Sequence, residues 1–144
     1  MLFRSDEAAS QAARLGIARA KLLGVTVLTS LDKADLAATG LNAEPSDQVL
    51  RLAALAREAG LDGCICSPLE IAALRRQCGP DFVLMVPGIR PVGSEANDQK
   101  RAMTPRQAVE LGATHLVVGR PIYKAANPRS AAEAIAREAG VNDL

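Results

Sequence analysis

Val86-Pro-Gly-Ile-Arg-Pro-Val-Gly-Ser-Glu-Ala-Asn-Asp-Gln-Lys-Arg101 is a run of glycine, proline, charge and amide that directly follows an apolar stretch. Val118-Gly-Arg-Pro121 answers it downstream, a short glycine-containing turn at the end of a second apolar stretch. Both read as loops leaving the ends of parallel strands, where small-molecule sites gather. Arg90, Gln99 and Arg120 supply donors for an anion. Gly88 and Gly119 leave room for a ligand to approach the backbone. The rest of the chain reads as scaffold that holds these two loops side by side.

The scaffold repeats a simple unit. An Ala-rich helix from Asp6 to Leu15 leads, stopped by Gly16. The apolar run from Lys21 to Leu28 has the pattern of a strand buried on both faces. Thr29-Ser-Leu-Asp32 leaves it as a polar loop, and a short helix from Asp32 ends before Gly40. Ser46 is the expected N-cap of a helix through Ala59, with Val49, Leu52, Ala53 and Ala56 on its apolar face. Gly63 to Ser67 is the second strand. Pro68 suits the first position of a helix to about Gln77, where Arg75 and Arg76 complement the macrodipole.

Phe82 to Val86 is the third strand. Thr104-Pro-Arg-Gln107 is a capping box with proline at the first helical position, and His115 to Val118 is the fourth strand. Asn127-Pro128 opens a last helix through Ala139, with Glu133 and Arg137 spaced as an i,i+4 pair. The chain is thus β-α repeated after one leading helix, with no sequence repeat and no low-complexity linker. Such units give parallel strands with right-handed crossovers. An open doubly wound sheet and part of a (β/α)₈ barrel both satisfy that. A full barrel needs roughly 250 residues, and this chain has 144.

Composition narrows the function. The chain is 49% apolar but holds only two Phe and one Tyr, so the core is aliphatic. A net charge of +1 gives no field for nucleic acid or an anionic membrane. With so few aromatics there is little to stack on bases. No apolar run approaches the ~20 residues that span a bilayer, and the N-terminus lacks a signal-peptide plan, so a cytoplasmic protein is expected. Cys64, Cys66 and Cys78 come without a CxxC pair or clustered His. They read as buried free thiols in a reducing compartment, and no metal site is expected.

Several segments together carry a family resemblance. Thr26-Val-Leu-Thr-Ser30, Pro87-Gly-Ile-Arg-Pro91, Gly93-Ser-Glu-Ala96, Asp98-Gln99, Met103-Thr-Pro105 and Gly119-Arg-Pro121 occur in order and spacing. In these the chain resembles bacterial orotidine 5'-phosphate decarboxylase over roughly residues 15 to 140, the second half of that family's barrel. The resemblance implies an α/β fold, the second half of a TIM (β/α)₈ barrel. It would form one partial domain over residues 1–144, with the N-terminal half of the barrel missing.

It also implies binding of orotidine 5'-monophosphate and release of CO₂ to give uridine 5'-monophosphate, without a cofactor, in an enzyme that is a homodimer when complete. Gly119 and Arg120 match the phosphate grip, Gln99 the amide of the loop that closes over the phosphate, and Arg90 a further substrate contact. Thr29 matches the residue that meets the pyrimidine edge. The chemistry agrees: a guanidinium fork fits phosphate oxygens, and an amide donates and accepts at once.

The family's catalytic lysine lies between aspartates, as Asp-x-Lys-x-x-Asp on an earlier strand, and that pattern does not occur here. No catalytic residue is therefore assigned. Asp32-Lys-Ala-Asp35 has the wrong spacing and reads as helix-start charge. Lys100 has no flanking carboxylate pair. His115 reads as structural, and Tyr123 as packed beside the last helix. Two other readings stand beside a truncated decarboxylase: an inactive half-barrel that grips a nucleotide phosphate, and another phosphate-binding barrel lyase.

Overall fold

The computed structural model describes residues 2–92 and 102–141. Helix α1 (Leu2–Arg14) leads to strand β1 (Leu23–Val25), then α2 (Lys33–Ala38) and α3 (Pro45–Glu58). Strand β2 (Gly63–Ile65) follows, with a 3₁₀ turn at Pro68–Glu70 running into α4 (Ile71–Cys78). Strand β3 (Val83–Val86), α5 (Pro105–Glu110), β4 (His115–Leu116), α6 (Arg120–Tyr123) and α7 (Pro128–Glu138) complete the order. The strands lie β1-β2-β3-β4, and each neighbouring pair is parallel. The expected β-α alternation is therefore what forms.

Local chemistry explains most boundaries. Asp32 caps α2 by accepting from the Asp35 amide at 3.0 Å, and Asp35 returns a bond to the Asp32 amide at 2.9 Å. The charged Asp-Lys-Ala-Asp segment is thus a capping box. Thr104 and Gln107 form the same reciprocal pair at the start of α5. Asn127 Oδ1 accepts from the Ser130 amide at 3.1 Å and starts α7. Helix α3 begins earlier than expected. Pro45 takes the first helical position, so Glu44 rather than Ser46 occupies the cap. On α7, Glu133 pairs with Arg129 at 2.9 Å rather than with Arg137.

The core lies between the sheet and one helix layer. Cys64 and Leu84 are paired across β2 and β3 and fully buried. They pack with Val49 and Ala53 of α3 and Ile71 and Leu74 of α4. One residue along, Val25, Ile65, Met85 and His115 form a row across all four strands and point to the opposite face. That row is open: Val25 is 60% exposed, and His115 is exposed too. The expectation that the first strand is buried on both faces is therefore corrected. It sits at the sheet edge, and among the described residues helices cover only one face.

Arg75 does more than complement a dipole. Its Nε donates to the Gly112 carbonyl at 2.8 Å, and Nη1 donates to Gly79 at 2.9 Å and Phe82 at 2.6 Å. It thereby ties the end of α4, the entry to β3 and the turn after α5. Replacing it with methionine keeps much of the stem and removes the donors. Arg75→Met is expected to cost roughly 1.5–3 kcal/mol, the range for hydrogen bonds to a charged group. Urea unfolding of both proteins checks this, and an unchanged midpoint would contradict it.

A second tie precedes β1. Arg19 donates to both oxygens of Asp62 at 2.6 and 2.7 Å, and the Leu22 amide adds a bond at 2.7 Å. The guanidinium first, then that amide, hold the Asp62 carboxyl down at about 2. A depressed carboxyl stabilises the fold above its unfolded value of ~3.9 and loses that contribution as pH falls through its folded value. The stability gap between the parent and Asp62→Asn should therefore be full at pH 5 and shrink toward pH 2. A gap that does not change with pH would contradict this.

Candidate functional site

Parallel strands place the loops that follow them at one end of the sheet. Thr29 lies beyond β1, Arg90 beyond β3, and Gly119 and Arg120 beyond β4. All four described candidates therefore share one rim. Gln99 lies outside the described residues, as does Lys100.

The long loop is pinned at its base. Ile89 and Met103 form a parallel bridge. The Arg90 amide donates to the Met103 carbonyl at 2.9 Å, and the Met103 amide donates to Gly88 at 3.4 Å. Gly88 takes a φ of +80°, a conformation that favours glycine. Thr104, next in sequence, caps α5. The two ends of the segment carrying Gln99 are thus held together between the end of β3 and the start of α5. Arg90 is half-buried, and its Nη1 donates to the Ile89 carbonyl at 2.7 Å.

The second turn is short. The Gly119 carbonyl accepts from the Ile122 and Tyr123 amides at 2.9 and 3.2 Å, which folds Arg120 into α6. Among the described residues, a Cβ at Gly119 would meet only Tyr123 Cε1, at 3.7 Å, which leaves space beside this backbone. Tyr123 is 64% exposed, so the expectation that it packs beside the last helix is corrected: it projects from a one-turn helix with little to cover it. Pro91 and Val92 share a cavity of about 380 Å³ with Pro121, so the Arg90 and Arg120 turns meet.

Thr29 is separated from them. It is 9% exposed and lines another cavity, of about 230 Å³, with Val25, Leu28, Ser30, Ile65, Cys66 and Pro87. Since β1 and β4 are the outer strands, Thr29 and Arg120 stand at opposite ends of the rim, three strand spacings or roughly 14 Å apart in the sheet direction. Ser30 and Cys66 were not singled out as site residues. Their signal lay in the sequence: Ser30 adjoins Thr29, and Cys66 stands at the outlet of the second strand. His115 lies on the open face, its Nδ1 3.0 Å from the Thr114 hydroxyl, which itself bonds the Leu84 backbone.

The three cysteines are free, with Cys64 and Cys66 buried and Cys78 half-buried. The hydrogen bond with Cys64 and then burial push the Cys66 thiol up. Burial does the same to Cys78. Among the described residues no group of three or more His, Cys, Asp or Glu could hold a metal ion, and no helix is long and apolar enough to cross a membrane.

Known proteins give these features a context. The profile of the "Orotidine 5'-phosphate decarboxylase / HUMPS family" matches residues 5–135. Orotidine 5'-phosphate decarboxylase of Glaesserella parasuis is 55% identical over 114 residues, 79% of this chain and 50% of that protein. The enzyme of the same name from Paramagnetospirillum magneticum is 53% identical over 136 residues, 94% of this chain and 58% of its own length. The crystal structure of orotidine 5'-phosphate decarboxylase from Lactobacillus acidophilus superposes with a TM-score of 0.71 at 42% identity, covering 86% of this chain and 51% of that one. The chain thus spans about half the length of the curated relatives it matches.

Cys64 and Cys66 are buried, and the Cys66 thiol is also pushed up, away from the nucleophilic thiolate, so both should resist a disulfide reagent at pH 7.5 while the chain is folded and react once it is unfolded in guanidinium. Peptide mapping of a short exposure should find Cys78 labelled first. Rapid labelling of Cys66 in the folded chain would contradict the burial described.

Proposed function

As the chain belongs to the orotidine 5'-phosphate decarboxylase / HUMPS family, we propose that it is the substrate-gripping half of a decarboxylase. The reaction converts orotidine 5'-monophosphate to uridine 5'-monophosphate and CO₂. The observation that carries the reading is the division of the rim. Arg90 and Arg120 follow β3 and β4 at one end, and a Thr-lined apolar cavity lies beyond β1 at the other, which suits a ligand with a phosphate at one end and a flat ring at the other.

In this reading Gly119 offers its backbone N–H and Arg120 its guanidinium to the phosphate. Arg90 contacts the substrate beside them. Gln99 closes over the phosphate from its pinned loop. Thr29 meets the pyrimidine edge. No cofactor takes part. A bound phosphate lowers a distant barrier because its binding energy drives loop closure and offsets distortion at the reacting carbon.

Breaking the bond to CO₂ leaves an electron pair on the ring carbon, which needs a proton. The Asp-x-Lys-x-x-Asp segment that would supply it is absent from this sequence. In this reading the proton donor would be supplied by β-α units outside this sequence, which would also cover the open row of Val25, Ile65, Met85 and His115. Residues 1–144 form a single partial barrel domain, and the complete enzyme is a cytoplasmic homodimer.

Two substitutions test the grip. Arg120→Ala should weaken uridine 5'-monophosphate binding by roughly 1.5–3 kcal/mol, the range for a charge-assisted bond. The methyl of Gly119→Ala meets no atom of the described residues nearer than 3.7 Å, so it should leave the melting temperature unchanged and still weaken the nucleotide. Calorimetry giving parent-like affinity for both variants would remove this turn from the site.

A further inference from the structure

The cavity of about 380 Å³ beside the arginine-bearing turns holds a feature that phosphate binding does not use. Among the described residues its wall is apolar, formed by Pro91, Val92, Pro121, Ala131, Ala134 and Ile135, and Glu138 is the charged group that lines it. Glu138 Oε1 is buried, and no hydrogen-bond partner reaches it among the described residues. An unsatisfied buried acceptor is costly, more so when charged. Its position adds to that cost. Glu138 is the last residue of α7, where the negative end of the helix dipole disfavours a carboxylate and favours a cation.

The volume falls within the range of small-molecule sites, roughly 300–1,000 Å³. An apolar wall around one acceptor selects a ligand with a compact hydrocarbon body and a single strong donor group. A cationic donor relieves the missing hydrogen bond and the unfavourable charge at the helix end together. A phosphate or carboxylate would be repelled by Glu138.

We propose that this cavity binds a small free amine, a primary alkylammonium, with its N–H groups on Glu138 Oε1 and its alkyl chain among Ala131, Ala134, Ile135 and Pro121. The site is distinct in chemistry from the phosphate grip: it takes a cation where that grip takes an anion. Pro91 and Pro121, each of which follows an arginine of the rim, join the two.

The test uses n-butylammonium, n-butanol, butyrate and blocked lysine (acetylated at Nα, amidated at the C-terminus), each titrated into the protein. The methyl resonances of Ala131, Ala134 and Ile135 are the readout. Butylammonium should shift them saturably and bind about tenfold tighter than butanol, as expected for a hydrogen bond to a charged group. Butyrate should not bind. In Glu138→Gln the preference for ammonium over alcohol should vanish while the helix signal stays as in the parent. Absence of saturable shifts with butylammonium, equal binding of butyrate, or an unchanged preference in Glu138→Gln would overturn the proposal. Blocked lysine binding more tightly than butylammonium would assign the cavity to a protein side chain and overturn the free-amine reading.

Discussion

The parallel ladder is the constraint on which the molecule depends. Its hydrogen bonds continue past the strand ends, from Thr26 to Ile65 at 3.2 Å, from Cys66 to Met85 at 3.2 Å and from Val117 to Val86 at 2.9 Å. Each of these bonds fixes the point at which a loop departs. Thr29, Arg90 and Gly119 are then two to four residues from a rigid anchor, all at the same end. Antiparallel pairing would have sent alternate loops to opposite ends and divided the candidates between them. Arg75 supports the same arrangement from the other side, because it holds the carbonyls that feed the chain into β3.

Much of this was legible in the sequence because the signals are local. Thr104 with Gln107, Asn127 before Pro128 and Asp32 with Asp35 each place a helix start through atoms only three residues apart. The strands declared themselves as short apolar runs between helical patterns. What the sequence did not convey depends on distant atoms. An apolar run cannot state how many layers cover it, so the exposure of Val25 and Leu28 was hidden. Glu133 had arginines four residues away on either side, and the geometry of α7 chose Arg129. Glu138 reads as an ordinary charge at a helix end until Pro91 and Pro121 are brought over it.

The candidate site shows the same split. Arg90, Gly119 and Arg120 were found because glycine and proline beside arginine mark a turn that presents a guanidinium. That Pro91 and Pro121, the residues after the two arginines, line one cavity required the fold. Ser30 and Cys66 carry only a positional signal, beside Thr29 and at the outlet of the second strand, and their lining of one cavity depends on the fold. The separation of Thr29 from the arginines follows from strand order, which the sequence constrains only through crossover rules.

A rim that gathers Thr29, Arg90, Gly119 and Arg120 beside an open sheet face fits the proposed division of labour. Binding energy from groups remote from the reacting bond is a large resource in catalysis, and the loops that collect it can be assembled apart from the acid that uses it. The open row across the sheet is where the rest of the barrel interior would pack, since barrel interiors are filled by layers of side chains. The account thus makes the chain a binding unit first.

The most direct measurement is a titration of the ¹⁵N-labelled chain with uridine 5'-monophosphate, followed through assigned backbone amides. The account predicts saturable shifts at Gly119, Arg120 and Arg90 together with Thr29 and Ser30, at both ends of the rim and with one affinity. Shifts confined to the outer faces of α3 and α4, or none at millimolar nucleotide, would contradict it.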